Sequence, residues 1–208
     1  MIDLVVPTDR SVEPAGNDAT TTRILDAARD QLVDLGLRRT SVEDVARRAG
    51  VARITVYRRF AGRDELIRSV VQREAGRVFA AVDEAVAAVD DPEERLAEGF
   101  AVLLRSARSH PVLQRLLTTD ADELLRSLTT GGSFVVALGR EYLVGHLERT
   151  GGIEASTLDA RAAAEVAVRL TLSFLLTPDS VIALSTDDDA RRFARRHLLP
   201  TLHRREEP

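Results

Sequence analysis

Ser41 to Arg63 reads SVEDVARRAGVARITVYRRFAGR, and the spacing predicts two short helices joined by a glycine turn. Ser41 with Asp44 three residues on forms a capping box, in which the serine oxygen takes a backbone N–H and the carboxylate reaches back to the cap. Val42, Val45 and Ala46 then share one face, with Glu43, Arg47 and Arg48 outside it. Gly50 stands where the helix must stop, since glycine adopts the left-handed C-cap conformation without steric cost. A second helix is expected from about Ala52 to Arg59. On it Val56 and Phe60 are an i, i+4 apolar pair facing inward, which leaves Arg53, Thr55, Tyr57, Arg58 and Arg59 over the exposed sides. Two short helices, a glycine turn and an arginine-rich second helix are the outline of a helix-turn-helix DNA reader.

Upstream, Ile24, Ala27, Ala28, Leu32 and Leu35 recur at three and four residues, a helix that ends at Gly36 and offers the face on which the pair packs. Residues 1–19 mix Pro, Gly, Asp and Ser without periodicity and are expected to be a disordered tail. Downstream, Arg63-Asp64-Glu65 opens a long helix through Leu66, Val70, Val78 and Val82 to about residue 89, and Asp90-Asp91-Pro92 stops it. Helices are then expected over about 92–109, from Leu113 towards Leu128, and over about 133–150, 156–177 and 187–203, the last opened by a second capping box, Thr186 with Asp189. The fold class is therefore all-α: about nine helices, with a three-helix DNA-binding unit over 20–66 and a helical effector-binding and dimerisation domain over 67–208.

Composition agrees. Aromatics make up 4% of the 208 residues and tryptophan is absent, so the core is built from Ala, Leu and Val. Without cysteine there are no disulfides, thiolate metal sites or cysteine nucleophiles. The net charge of -4 hides a segregation: residues 21–78 hold 13 Arg against 8 carboxylates, a basic end on an acidic chain. All basic residues are arginine, which points to codon bias more than to function. No stretch reads as a signal peptide or a membrane span, and a cytoplasmic protein is expected. His110, His146, His197 and His203 lack metal-ligand spacing, and no nucleophile elbow or phosphate-cradling loop is present. No cofactor, metal or catalytic residue is expected. The four arginines of the last helix, Arg191, Arg192, Arg195 and Arg196, read as a solvated or dimer-rim stripe paired with acidic neighbours.

The stretch from about Thr21 to Leu66, with Ser41-Val42, Asp44-Val45-Ala46, Ala49-Gly50-Val51, Thr55-Val56-Tyr57, Phe60 and Arg63 before Glu65-Leu66, resembles the TetR family of transcriptional repressors. The resemblance covers about a quarter of the chain. It implies a homodimer, formed through the last two helices, whose recognition helices enter successive major grooves of a palindromic operator in double-stranded DNA, and which a small apolar effector releases. Arg53 and Thr55 would read base edges. Tyr57 and Arg63 match phosphate-contacting positions, Ser41 can cap its helix and approach phosphate, and Arg58 and Arg59 are further candidates. Ala52 departs from the family's frequent serine and weakens the helix cap by roughly 1 kcal/mol. Ile54 either packs on a thymine methyl or is simply an exposed apolar residue. For the effector cavity, between about Val78 and Leu176, the candidates are Phe79, Phe100, Phe134, Tyr142, His146 and Phe174. The competing reading is a helical small-molecule or protein-binding module whose basic end does not read a specific operator.

Overall fold

The computed structural model describes residues 19–122, 133–150 and 158–202, and among them nine helices and no strand. Helix α1 (Ala19–Leu35) stops at Gly36, whose φ of +84° suits glycine. Helices α2 (Val42–Ala49) and α3 (Arg53–Tyr57) follow, then the long α4 (Arg63–Val86). Prolines open α5 (Pro92–Ser109) and α6 (Pro111–Thr119) in their first turns, where the missing N–H costs nothing. Next come α7 (Ser133–Thr150), α8 (Leu158–Leu176) and α9, which runs over Asp187–Phe193, a π-helical stretch Ala194–Leu198, and Leu199–Leu202. The α4 helix ends three residues before the expected 89, and α6 ends at Thr119. Leu124, Leu125 and Leu128, like the N-terminal tail, lie outside the described residues.

Four apolar clusters organise the described residues, and the two largest fix the DNA-binding unit and the α5–α9 pair. Ile24, Leu32, Val45, Val56, Phe60 and Leu66 are buried together, uniting α1 to α4. Val112 and Leu116 of α6 join this cluster, so the DNA-binding unit is packed directly on part of the C-terminal domain. The second core holds Phe100, Ala101 and Leu104 of α5 against Phe193, Ala194 and Leu198 of α9. The apolar face of α9 is thus consumed within its own chain, and its exposed positions are Asp188, Arg192, Arg195, Arg196, His197 and Pro200. Arg191 pairs with Glu98 and Asp188, Arg192 with Asp189, and Arg195 with Glu94. No described helix is long and apolar enough to cross a membrane.

The two expected capping boxes come out differently. At α9, Thr186 Oγ1 accepts the Asp189 N–H and the Asp189 carboxylate accepts the Thr186 N–H, a complete box. At α2, Ser41 Oγ accepts the Asp44 N–H at 3.1 Å, but Asp44 Oδ2 accepts the Ser41 hydroxyl at 2.6 Å instead of its backbone N–H. The other carboxylate oxygen is taken by Arg47, so Asp44 is held by two side chains and does not return to the main chain.

Candidate nucleic-acid interface and inner cavity

Gly50 takes φ 65°, ψ 37° and reverses the chain after α2, with the Val51 N–H returning to the Ala46 carbonyl at 3.0 Å. Ala52 begins α3 in extended conformation with no side-chain cap. The helix proper is five residues long, shorter than the expected 52–59, and a single capless turn has no stability of its own. Its order comes from behind: Val56 and Phe60 are buried in the first core.

In front, Arg53, Ile54, Tyr57 and Arg58 are exposed, with Thr55 half-buried between them. Ile54 is 59% exposed, a large apolar side chain with no intramolecular reason to be there. Arg53 Nη2 donates to the Tyr57 hydroxyl at 3.2 Å, and its guanidinium carbon lies 5.3 Å from the Tyr57 ring centroid. The two form one arginine–phenol unit whose cation is already oriented. Arg58 carries no ion pair among the described residues, whereas Arg59 donates through Nε to Thr21 Oγ1 at 3.1 Å and so tethers the end of α3 to α1.

The Arg63 guanidinium donates through Nε to the Thr40 carbonyl at 2.9 Å and through Nη2 to the Leu37 carbonyl. It braces the α1–α2 turn and is turned inward more than a phosphate-only role requires. Arg38 and Arg39 on that same turn are exposed and without ion pairs among the described residues. They escaped the sequence reading, although an Arg-Arg pair directly before Thr40-Ser41 was the signal available. By contrast Arg47, Arg48, Arg73 and Arg77 pair with Asp or Glu, so much of the basic excess is neutralised away from α3.

Behind this unit a cavity of about 640 Å³ opens among helices α1, α4 to α9. Phe79, Phe100, Phe134, Tyr142 and His146 border it. Phe174 does not: it packs edge-on to Phe193 with centroids 5.1 Å apart, in the second core. On the wall, the Phe79 and Tyr142 rings stack at 4.0 Å. The Tyr142 hydroxyl donates to Asp83 Oδ1 at 2.9 Å, and His146 Nδ1 lies 3.5 Å from the same oxygen. Burial, reinforced by the Asp83 carboxylate, pushes the Tyr142 phenol above its ordinary range, so it stays protonated. His146 is pushed down, because burial outweighs the attraction of Asp83.

A second polar cluster lies where α1, α4 and the α5–α6 junction meet. Glu74, 4% exposed, accepts Arg29 Nε at 3.0 Å and Arg77 Nη1 at 2.6 Å, and its Oε2 is 3.3 Å from His110 Nε2. Burial raises the Glu74 carboxyl, but the Arg29 and Arg77 bonds and charges outweigh it and hold the group ionised below its usual range. Burial lowers His110, with Glu74 opposing. No group of residues able to hold a metal occurs among those described.

An exposed arginine-bearing helix, mounted on a glycine-turned pair and backed by a helical body with an apolar cavity, defines a DNA-binding regulator of the helix-turn-helix class. The comparisons agree. The family model for bacterial regulatory proteins of the tetR family matches residues 24–70, and the model for the bacterial tetracyclin repressor C-terminal domain matches residues 91–195. The regulator AlkX of Mycobacterium tuberculosis is 30% identical over 179 residues, 84% of this chain and 84% of its own. In structure, the TetR-family repressor AlkX from Dietzia aligns with a TM-score of 0.67 at 24% identity, over 88% of this chain and 97% of that one. The repressor QsdR of R. erythropolis aligns at 0.62 with 20% identity, over 92% and 100%. The chain belongs to the TetR family of bacterial transcriptional regulators.

Proposed function

We propose that this regulator is a homodimeric repressor that holds a palindromic operator through paired α3 helices and leaves it when a small, largely apolar molecule enters the cavity. The observation that carries this reading is that one set of residues serves both ends. Leu37 and Arg63 belong to the cavity wall and also to the turn that positions α2 and α3, so a change in the wall is felt by the recognition unit. Arg53, pre-oriented by Tyr57, reads a base edge together with Thr55, and Ile54 meets a thymine methyl. Tyr57, Arg58 and Ser41 hold phosphates, Arg63 joins them through its remaining N–H groups, and Arg59 acts chiefly by fixing α3.

Dimerisation uses α8 at its centre. Ala162, Val166 and Leu170 stand at i, i+4 and i+8 on its exposed side, while the arginine-lined outer face of α9 forms the rim. To meet successive major grooves such a dimer has to set its recognition helices about 34 Å apart. Selection of binding sites from random double-stranded DNA tests the proposal: an inverted repeat with half-sites one helical turn apart is expected. Recovery of no enriched sequence would instead favour a binding module that reads no operator.

A further inference from the structure

We infer that the cavity takes an amphipathic organic acid, an apolar body carrying one carboxylate, and that Arg95 receives the carboxylate. The inference rests on reading the cavity as the effector site and adds the chemistry of its occupant. Charge at the wall selects the occupant. Most of the lining is aliphatic, which suits an apolar body. The polar groups inside are committed: the Thr171 hydroxyl donates to the Ala167 carbonyl at 2.8 Å, the Tyr142 hydroxyl to Asp83, and Glu74 is saturated by Arg29, Arg77 and His110. Asp64 points out, its side chain 91% exposed. No carboxylate on this wall is therefore left to receive a cationic ligand.

The cations are different. Arg95, in the first turns of α5, is half-buried and donates only through Nε, to the Val89 carbonyl at 2.7 Å, which leaves both terminal amino groups without a partner among the described residues. It lies close enough to His146 for its charge to act on the imidazole. A guanidinium partly withdrawn from water with two N–H forks uncommitted is matched by a carboxylate, which it can take in bidentate fashion. Arg68, the other arginine on this wall without an ion pair, is exposed and already lies over the Phe134 ring, 5.6 Å from its centroid. It loses no hydration by staying empty-handed, so it ranks behind Arg95.

Isothermal titration of the full chain with dodecanoate, dodecan-1-ol and dodecylammonium, each below its micellar concentration, separates the possibilities. Dodecanoate is expected to bind at one per chain and about tenfold tighter than the alcohol, the size of one charge-assisted pair, with the ammonium weakest. In Arg95→Gln the acid should fall to the affinity of the alcohol while the alcohol is unchanged, which also shows the variant to be folded; Arg68→Gln should keep the preference. Acid and alcohol binding equally would overturn the head-group assignment and leave the cavity reading standing. Loss of the preference in Arg68→Gln but not in Arg95→Gln would overturn the choice of Arg95. Binding of none of the three would remove the cavity reading along with the inference.

Discussion

The Asp120 carboxylate, 5% exposed, accepts the Leu37 amide N–H at 2.8 Å across 83 positions of sequence. It fits because residue 36 has no side chain: a Cβ on Gly36 would lie 2.1 Å from Asp120 Oδ2. Arg115 of α6 adds a bond to the Asp34 carbonyl at 2.9 Å. The end of α6 is thereby latched to the end of α1, at the same Leu37 whose carbonyl Arg63 holds. Asp120→Ala leaves a buried N–H unpaired and should cost about 1–3 kcal/mol, or several degrees of melting temperature in a chain of this size. Gly36→Ala meets both the positive φ and the carboxylate and should cost more. Because the two changes share one contact, scanning calorimetry of both single variants and the double should reveal non-additivity: Asp120→Ala relieves part of the Gly36→Ala penalty. Additive costs would mean the latch is not formed as described.

Reading and clamping residues should separate in DNA titrations. Arg53→Ala should relax preference at one base pair, at about 1–3 kcal/mol of discrimination. Arg58→Ala should weaken binding to all sequences and reduce the salt slope by about one phosphate's worth. Tyr57→Phe frees Arg53 from its hydroxyl and should blunt the same base preference as Arg53→Ala, more weakly. Arg63→Ala should lower thermal stability as well as affinity, since it removes two bonds to the α1–α2 turn; an affinity loss with an unchanged melting temperature would refute the bracing role.

Much of this was legible in the chain and some was not, for reasons of range. Helix ends at Gly36, Gly50, Pro92, Pro111 and Thr186 follow from local backbone chemistry, and Val56 and Phe60 are turned inward by helical spacing alone. The Glu74 cluster gathers Arg29, Arg77 and His110 from three elements, and nothing in their spacing announces it. Phe174 shows the converse limit: an aromatic residue on a helix apolar around much of its girth can face either a cavity or a core, and only the neighbouring Phe193 decides. The position of Arg63 was readable, but its inward turn depended on carbonyls some 25 residues away.

Stability should fall on acidification in two stages. His110 and His146 both have folded pKa values below the ordinary 6.5, chiefly through burial. The unfolded chain therefore binds more protons as pH drops through 6.5, and the stabilisation present above that value is lost towards the folded values. Glu74, held below its ordinary 4.5, contributes above 4.5 and loses its contribution further down. Urea midpoints at successive pH values should show the first decline beginning near neutrality, and His110→Gln should flatten it. A midpoint constant between pH 7.5 and 5.5 would contradict the lowered values of buried His146 and half-buried His110.

The exposed stripe on α8 gives a prediction about assembly. Val166 and Leu170 are 45% and 37% exposed, so Val166→Arg should barely affect folding of one chain yet break a dimer centred there. Light scattering should find a dimer for the parent and a monomer for the variant, with operator binding reduced to the level of one half-site. A variant that remains dimeric would move the interface elsewhere.

Helix α3 is held from behind by Val56 and Phe60 and meets the outside with Arg53, Ile54, Thr55, Tyr57 and Arg58. The two sets share no member. Changes on the outer set therefore carry little thermodynamic risk, and the operator this protein answers to can drift, or be rewritten by design, while the scaffold and its chemical sensor stay as they are.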